Sequence, residues 1–535
     1  MTEAQAKGPS TGAGSTLNAA GTAIELLDTD AAGVVTTSIT WNSFGEATQR
    51  QTGNVVDTTD YDQAGRAWRT TSGGTSTVLL YDEQGHVTAQ LGSAGSVDTG
   101  GLGVDLGDAT IASAQDANAL SADVLRRIDF NLDLLGRQLE QILPQRVYAT
   151  SSMGPGVIVG LRPSVKQTFD RWGNVVAQTD VNNASRHTEF TYNRFNQVTH
   201  KVQPNGSGVT EAGNGTSPET WIFYDALGRQ VAVRDADGNL NGQTWDAGGH
   251  LVQERHADGG VVTHGYNAFG EQVSLLDAEH HLTTYGYDHM GRNTSVTHYG
   301  VDIFEPGFQN GDWLEWLIQQ PEHQITTVST YDAAGRKTSQ TAGGGLGRIE
   351  YRYDARGNVV RTRDAVGDTT YAAFDALGHQ VAQVDGNGKL ATWTYNAGNQ
   401  LEHRTDIGGA TYTYEYDAAN QLVMMGNDRL PDPTKGITGA QYMFYHYDAA
   451  GQLVGIVDAS SRFMGPVQPE MMATTTYRYN LAGQRVFEQM TKAGVTYQQQ
   501  EIGYDNLGRM VQVKDHVGHL QVDFDYLCPC QPPIA

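Results

Sequence analysis

An aromatic residue followed by Asp or Asn, with Gly or Asn three positions beyond the acid, recurs throughout this chain of 535 residues. Copies begin at Trp41, Tyr61, Tyr81, Phe169, Tyr192, Tyr224, Trp245, Tyr266, Tyr287, Tyr331, Tyr353, Phe374, Tyr395, Tyr416, Tyr447, Tyr479 and Tyr504. Several are nearly identical: YDALGR from Tyr224, YDAAGR from Tyr331, YDARGN from Tyr353 and YDNLGR from Tyr504. The step is 21 residues from Tyr224 to Tyr287 and again from Tyr353 to Tyr416. A short unit cannot bury an apolar face alone, so a fixed period of this size predicts repeats stacked on their neighbours.

A weaker signature follows eleven residues after the aromatic. Asp recurs there at Asp235, Asp277, Asp364, Asp385, Asp406 and Asp515, with Gly at Gly238, Gly367, Gly388, Gly409 and Gly518. The unit thus reads as two turns joined by two short strands. Asp and Asn side chains cap turns by accepting from backbone N–H groups two residues on. The closing Gly suits a type I turn whose last residue has positive φ. Where Gly is missing from the first turn, at Asn196, Asn399 and Asn420, the replacement is the non-Gly residue that best tolerates that geometry. Structural turn residues are therefore expected at Tyr224, Asp225 and Gly228, at Tyr331, Asp332 and Gly335, at Tyr353, Asp354 and Gly357, and at Tyr504, Asp505 and Gly508.

Between turns, runs such as Arg229–Arg234 and Ala391–Tyr395 alternate with period two and are rich in β-branched and aromatic residues. The expected fold class is all-β, with antiparallel hairpins spiralling into a shell or barrel-like sheet, and one inserted α-helical segment. The helix is expected over Ala112–Leu143, where Leu120, Val124, Ile128, Leu132, Leu135, Leu139 and Ile142 fall on one helical face and Pro144 stops it. A second short helix is expected around Asp312–Ile318. The organisation reads as a flexible tail over 1–35, repeats over 36–96, an inserted segment without repeats over 97–165, repeats over 166–527 and a tail over 528–535. Loops interrupt the long array at 301–325, 426–441 and 458–474.

Composition narrows the function. A net charge of −25 argues against nucleic acid and anionic membranes as partners. No run of eighteen apolar residues is present, so no membrane-inserted helix is expected, and the first twenty residues lack the apolar core of a secretory signal. The two cysteines, Cys528 and Cys530, exclude a disulfide framework.

The YDxxGR unit at this period resembles the YD repeat, also called the Rhs repeat. That repeat occurs in bacterial Rhs proteins, in cocoon-forming components of insecticidal toxin complexes, in wall-associated proteins and in animal teneurins. The resemblance covers residues 36–96 and 166–527. It implies a β-strand spiralling into a hollow shell that holds a toxin or another segment of chain, in a secreted, surface-attached or specially delivered protein. The family's aspartyl self-cleavage region is not matched: the sole Asp-Pro, Asp432-Pro433, lies in an insertion loop. The chain is therefore expected to be a shell segment whose partners are a cargo polypeptide or further shell segments. Alternatives are a carbohydrate-binding adhesion module and the delivery half of a toxin whose enzymatic domain lies beyond this chain.

No catalytic residue, cofactor site or metal site is expected. Gly8-Pro9-Ser10-Thr11-Gly12 matches a nucleophile-elbow pattern without the strand that motif needs. Asp235–Asn239 begins like a calcium loop but has Leu240 where Gly is required. His264, His280, His281 and His289 fall in different strands and turns, without zinc-type spacing.

Overall fold

The computed structural model describes the backbone of residues 2–5, 14–17 and 24–27. Apart from short gaps, it also describes 35–93, 125–149, 158–204, 217–302, 324–427, 441–459 and 473–523. Among the described residues every regular element is a β-strand, so the protein is all-β. Of the expected tail over 1–35, the backbone of the strands Thr2–Gln5, Gly14–Leu17 and Ile24–Leu27 is described, together with Val35, which opens the strand Val35–Trp41. The expected helix at 312–318, the loop at Asp432-Pro433 and the two cysteines lie outside the described residues.

Consecutive strands pair antiparallel with their neighbours in sequence. Glu219–Tyr224 pairs with Gln230–Arg234, which pairs with Leu240–Trp245, which pairs with Leu251–Arg255, and the pattern continues along the array. The register slips by one residue at each aromatic, for example between Phe223 and Tyr224 and between Arg352 and Tyr353. This is the bulge expected when a type I turn is closed by a residue in left-handed geometry. Gly228, Gly335, Gly357 and Gly508 have φ of 81°, 80°, 99° and 79°. Asn196, Asn399 and Asn420 take the same region at 59°, 61° and 67°.

The helix expected over Ala112–Leu143 is not formed where the structure describes it. Leu125–Leu132 and Gln138–Ile142 are strands, joined by a turn from Asp133 to Arg137. Leu132-Asp133-Leu134-Leu135-Gly136-Arg137 is a repeat turn in which Leu132 takes the place of the aromatic, and Gly136 has φ 76°. The inserted segment therefore contains a repeat unit after all. Its i, i+3/i+4 leucines coincide with a period-two run, Ile128, Phe130 and Leu132, and a mid-helix Gly would have cost about 1 kcal/mol. Leu135 and Leu139 of the supposed buried stripe are exposed.

Contacts divide the chain into two compact units. One comprises Met1–Glu3, Thr36–Glu219 and Ala391–Tyr526, the other Ala4–Val35, Thr220–Leu390 and Leu527–Ala535. In the first unit a side hairpin, Arg146–Ala149 with Ile158–Leu161, leaves the main sheet, and Gln138–Ile142 pairs directly with Ser164–Phe169. Tyr148 of that hairpin meets Tyr447 in a parallel bridge, and Arg186 Nη2 donates to Gln452 Oε1. The N- and C-terminal parts of this unit are thereby tied together. In the second unit the sheet runs from Glu219–Tyr224 to Gln380–Val384 by hairpins alone, with one long insertion over 303–323.

Every long insertion leaves from the same kind of turn. The segments 94–124, 143–163, 205–216, 303–323, 428–440 and 460–472 all stand where the second turn of a unit would be. The aromatic–Asp turns are never interrupted among the described residues. Nothing in the structure lies within contact distance of a Cβ built on Gly335, so its conformational strain can be measured alone. Gly335→Val is expected to lower unfolding stability by about 1–2 kcal/mol, the cost of forcing a β-branched residue into left-handed geometry. Gly335→Asn is expected to cost less, and urea unfolding of the two variants compares them.

Candidate functional site

The residues singled out from the sequence occupy one repeated constellation. At the turn from Asp225 to Arg229, Gly228 N–H donates to Asp225 O at 3.1 Å and Asp225 N–H donates to Arg229 O at 2.9 Å. Asp225 Oδ1 accepts from the backbone N–H groups of Leu227 and Arg229, both at 2.9 Å. Its other oxygen, Oδ2, accepts from Arg229 Nε at 2.8 Å. One carboxylate thus closes the turn from inside and holds the next side chain. The turns at Asp332, Asp288, Asp133 and Asp62 repeat this arrangement, each with an Arg four residues on. His86, His250 and His379 replace that Arg at Asp82, Asp246 and Asp375, with Nδ1 at 2.9–3.0 Å from Oδ2.

The Arg then reaches the following repeat. Arg229 Nη1 donates to Asp246 O at 2.8 Å, Arg292 Nη1 to Asp332 O at 2.8 Å and Arg336 Nη1 to Asp354 O at 2.8 Å. Its guanidinium also lies over the next aromatic ring, with Arg336 4.8 Å from the Tyr353 centroid and Arg66 4.7 Å from that of Tyr81. A return bond runs the other way, from the next ring to the strand just past the first turn. Tyr287 Oη donates to Gln272 O at 2.8 Å, Tyr331 Oη to Asn293 O at 2.6 Å, and Trp245 Nε1 substitutes for a hydroxyl by donating to Gln230 O at 2.7 Å. Tyr504 Oη donates to Arg485 O at 2.9 Å.

The ladder passes the insertions. Tyr331 reaches back across 303–323, Tyr447 across 428–440 to Leu422 O, and Tyr479 across 460–472 to Leu453 O. The ring hydroxyl bonds and the Arg contacts between repeats go beyond the strand-and-turn pattern of the sequence. The recurring Arg or His after the turn Gly was the available signal. The second-turn row was also incomplete, since His256 with Gly259 forms a further turn, and His280 takes φ 66° after Asp277.

Electrostatics follow the hydrogen bonds. The Arg292 side chain, then the turn N–H groups, hold the Asp288 carboxyl down at about 2 against its burial. The carboxyls of Asp225 and Asp133 are likewise lowered, first by the backbone N–H of Arg229 and Arg137. Burial, with the Asp417 carboxylate behind it, pushes the Tyr447 phenol up to about 12.

The other candidates are dispersed. Asp235 spends Oδ1 on the N–H groups of Asp237 and Asn239 and Oδ2 on the Asn239 side chain. His264 lies 3.3 Å from Glu254, His281 lies 3.3 Å from Asp277, and His280 and His289 sit in separate turns. Among the described residues no three His, Cys, Asp or Glu converge as metal ligands, and no helix is long and apolar enough to cross a membrane.

Residues 224–261 match the family model described as RHS Repeat. No curated protein matches the chain. Among solved structures, the TcdB2-TccC3 complex without its hypervariable C-terminal region is similar over 94% of this chain, at 16% identity and TM-score 0.57. TcdB2-TccC3-Cdc42 is similar over 90%, at 14% identity and TM-score 0.59. The Photorhabdus luminescens Tc holotoxin pore is similar over 95%, at 16% identity and TM-score 0.57. These likenesses are of fold. The chain spans 25%, 29% and 26% of the respective proteins, about a quarter of their length.

Two outcomes test the site. Asp288 has a folded value below its unfolded one, so its contribution to stability is present above the ordinary carboxylate value of 3.8 and is lost as pH falls towards about 2. Carboxyl NMR should place its midpoint near that value, and Arg292→Gln should move it upward. Tyr353→Phe, which deletes only the bond to Lys337 O, should cost about 1 kcal/mol in urea unfolding. Tyr353→Ala, which also removes the ring, should cost about 2–3 kcal/mol.

Proposed function

We propose that this chain, an Rhs/YD-repeat protein, is a wall segment of a shell that encloses or delivers a cargo polypeptide and carries out no catalysis itself. The observation that carries the reading is the ladder of turn-residue and aromatic contacts between successive repeats, with Arg292 and Tyr331 making it across the 303–323 insertion. Such a wall supports itself by nearest-neighbour contacts and needs no compact core. On this reading Tyr224, Asp225, Gly228 and their counterparts at Tyr331, Tyr353 and Tyr504 are structural. The repeat aromatics direct their polar ends to neighbouring backbone, which favours a wall over rings stacking on sugars.

The fold likeness to TcdB2-TccC3 supports the same reading. One of those structures is named with Cdc42 and another for a missing hypervariable C-terminal region; a polypeptide occupant fits both names. The cargo here would be a toxin or other polypeptide, further shell segments would complete the wall, and the assembly would act outside the cell that makes it.

Small-angle scattering of the purified chain, with its mass from size exclusion, tests the proposal. The expected distance distribution is depleted at the centre of the particle. A solid compact profile would refute a hollow wall. An elongated monomer profile would refute closure by this segment alone.

A further inference from the structure

The aromatic–Asp turn does not dictate the size of its third residue: Ala64, Gln84, Gly248, Ala334 and Arg356 all stand there. Three consecutive turns of the first unit nevertheless place large apolar side chains at this position. Leu135 is 75% exposed, Trp172 65% and Phe195 64%. The three turns are adjacent: Arg137 Nη1 donates to Asp170 O at 3.3 Å, and Asn174 Nδ2 donates to Asn196 Oδ1 at 3.0 Å. They are two strands apart, so the tips step by about 10 Å along one edge.

Two cations accompany them. The Arg171 guanidinium lies 3.9 Å from the Trp172 ring centroid and that of Arg194 lies 5.0 Å from Phe195. Neither has a carboxylate partner among the described residues, whereas Arg66, Arg137, Arg229, Arg292 and Arg336 are each paired to a turn Asp. Exposed Trp and Arg side by side in a contiguous apolar strip have the composition of an interface rather than of free surface.

A complementary edge exists on the same chain. In the second unit, consecutive second turns present Asp237, Asp258 and Glu279 at the corresponding tip position, all exposed. Those turns are also two strands apart, so the carboxylates share the step of about 10 Å. We propose that the Leu135–Trp172–Phe195 edge, with Arg171 and Arg194, docks on the Asp237–Asp258–Glu279 edge of a second copy of this chain. The matched step lets both guanidinium–carboxylate pairs form at once, while the apolar tips lie against the Ala236, Ala257 and Ala278 turns. The net charge of −25 on each copy is screened beyond about 8 Å in physiological salt, so the local pairs decide. Because the two edges differ, the contact is head-to-tail and extends beyond a dimer unless it closes. The inference rests on the fold and stands whether or not the wall encloses cargo.

Sedimentation equilibrium over a wide concentration range tests it on the full chain. The wild-type mass should rise with concentration. Arg171→Glu with Arg194→Glu should weaken association by about tenfold or more, as should Asp237→Lys with Asp258→Lys and Glu279→Lys. The variant carrying all five reversals should recover it. Trp172→Ser with Phe195→Ser, which leaves the charges intact, should also weaken it, and circular dichroism checks that each variant keeps its strands. A wild-type mass that stays monomeric, association indifferent to the reversals, or no recovery in the five-fold variant would each overturn the proposal.

Discussion

The structure depends on how one turn carboxylate divides its two oxygens. At Asp225 one oxygen accepts two backbone N–H groups and so fixes the turn; the other holds Arg229 in the conformation that reaches the next repeat. Charged acceptors make shorter and stronger hydrogen bonds than neutral ones, and here the same charge sets both local and inter-repeat geometry. Asn serves in the first role at Asn193 and Asn267, where its Oδ1 accepts the same two N–H groups. The fifth turn residue is then Gln or Glu, which accepts from the Asn amide, as Glu271 does at 2.7 Å. Asp is also found with a fifth-position Gln, at Asp417–Gln421 and Asp448–Gln452, where the Asp still accepts the fifth residue's N–H and Gln421 Nε2 donates instead to Gly451 O at 3.1 Å.

The aromatic completes the link in the opposite sense. At the Arg336–Tyr353 boundary the ring lies under the preceding Arg and its hydroxyl bonds the preceding strand, so two hydrogen bonds and a cation–π contact cross it; Phe169 and Phe374 keep the ring without the hydroxyl. All of these contacts are to the nearest neighbour. Among the described residues, insertions of widely differing length interrupt second turns and none interrupts an aromatic–Asp turn. Residues 303–323 can be spliced in because the Tyr331 hydroxyl still finds Asn293 O and Arg292 still finds Asp332 O.

Much of this was legible in the sequence, and the failures have identifiable causes. The turn Gly and Asn positions were readable because positive φ restricts the residue type so strongly. The repeat at Leu132 was not, because weight placed on an aromatic let a leucine periodicity suggest a helix. Strand and helix patterns share residues over so short a run, and Asp133, Gly136 and Arg137 were the better guide. The ladder itself was half visible: Arg after the turn Gly stands in the sequence at Arg229, Arg292, Arg336 and Arg509. Which backbone oxygen it would reach depends on a neighbour that only pairing brings close.

The same logic separates constrained positions from free ones. Within YDxxGR the aromatic, the acid, the Gly and the Arg are each committed to a bond or a backbone angle, while the turn itself does not require particular side chains at the two intervening positions, although Arg356 at one of them reaches Asp375 O of the next repeat at 3.3 Å. Bulky apolar groups at Phe44, Trp172, Phe195 and Phe269 therefore cannot be explained by the turns that carry them, since Ala64 and Ala334 close equivalent turns. Exposing such rings to water works against solubility without aiding the repeat. The sheet is thus built from residues facing its own neighbours, and what it meets beyond its edge is written in the two positions the turn leaves open.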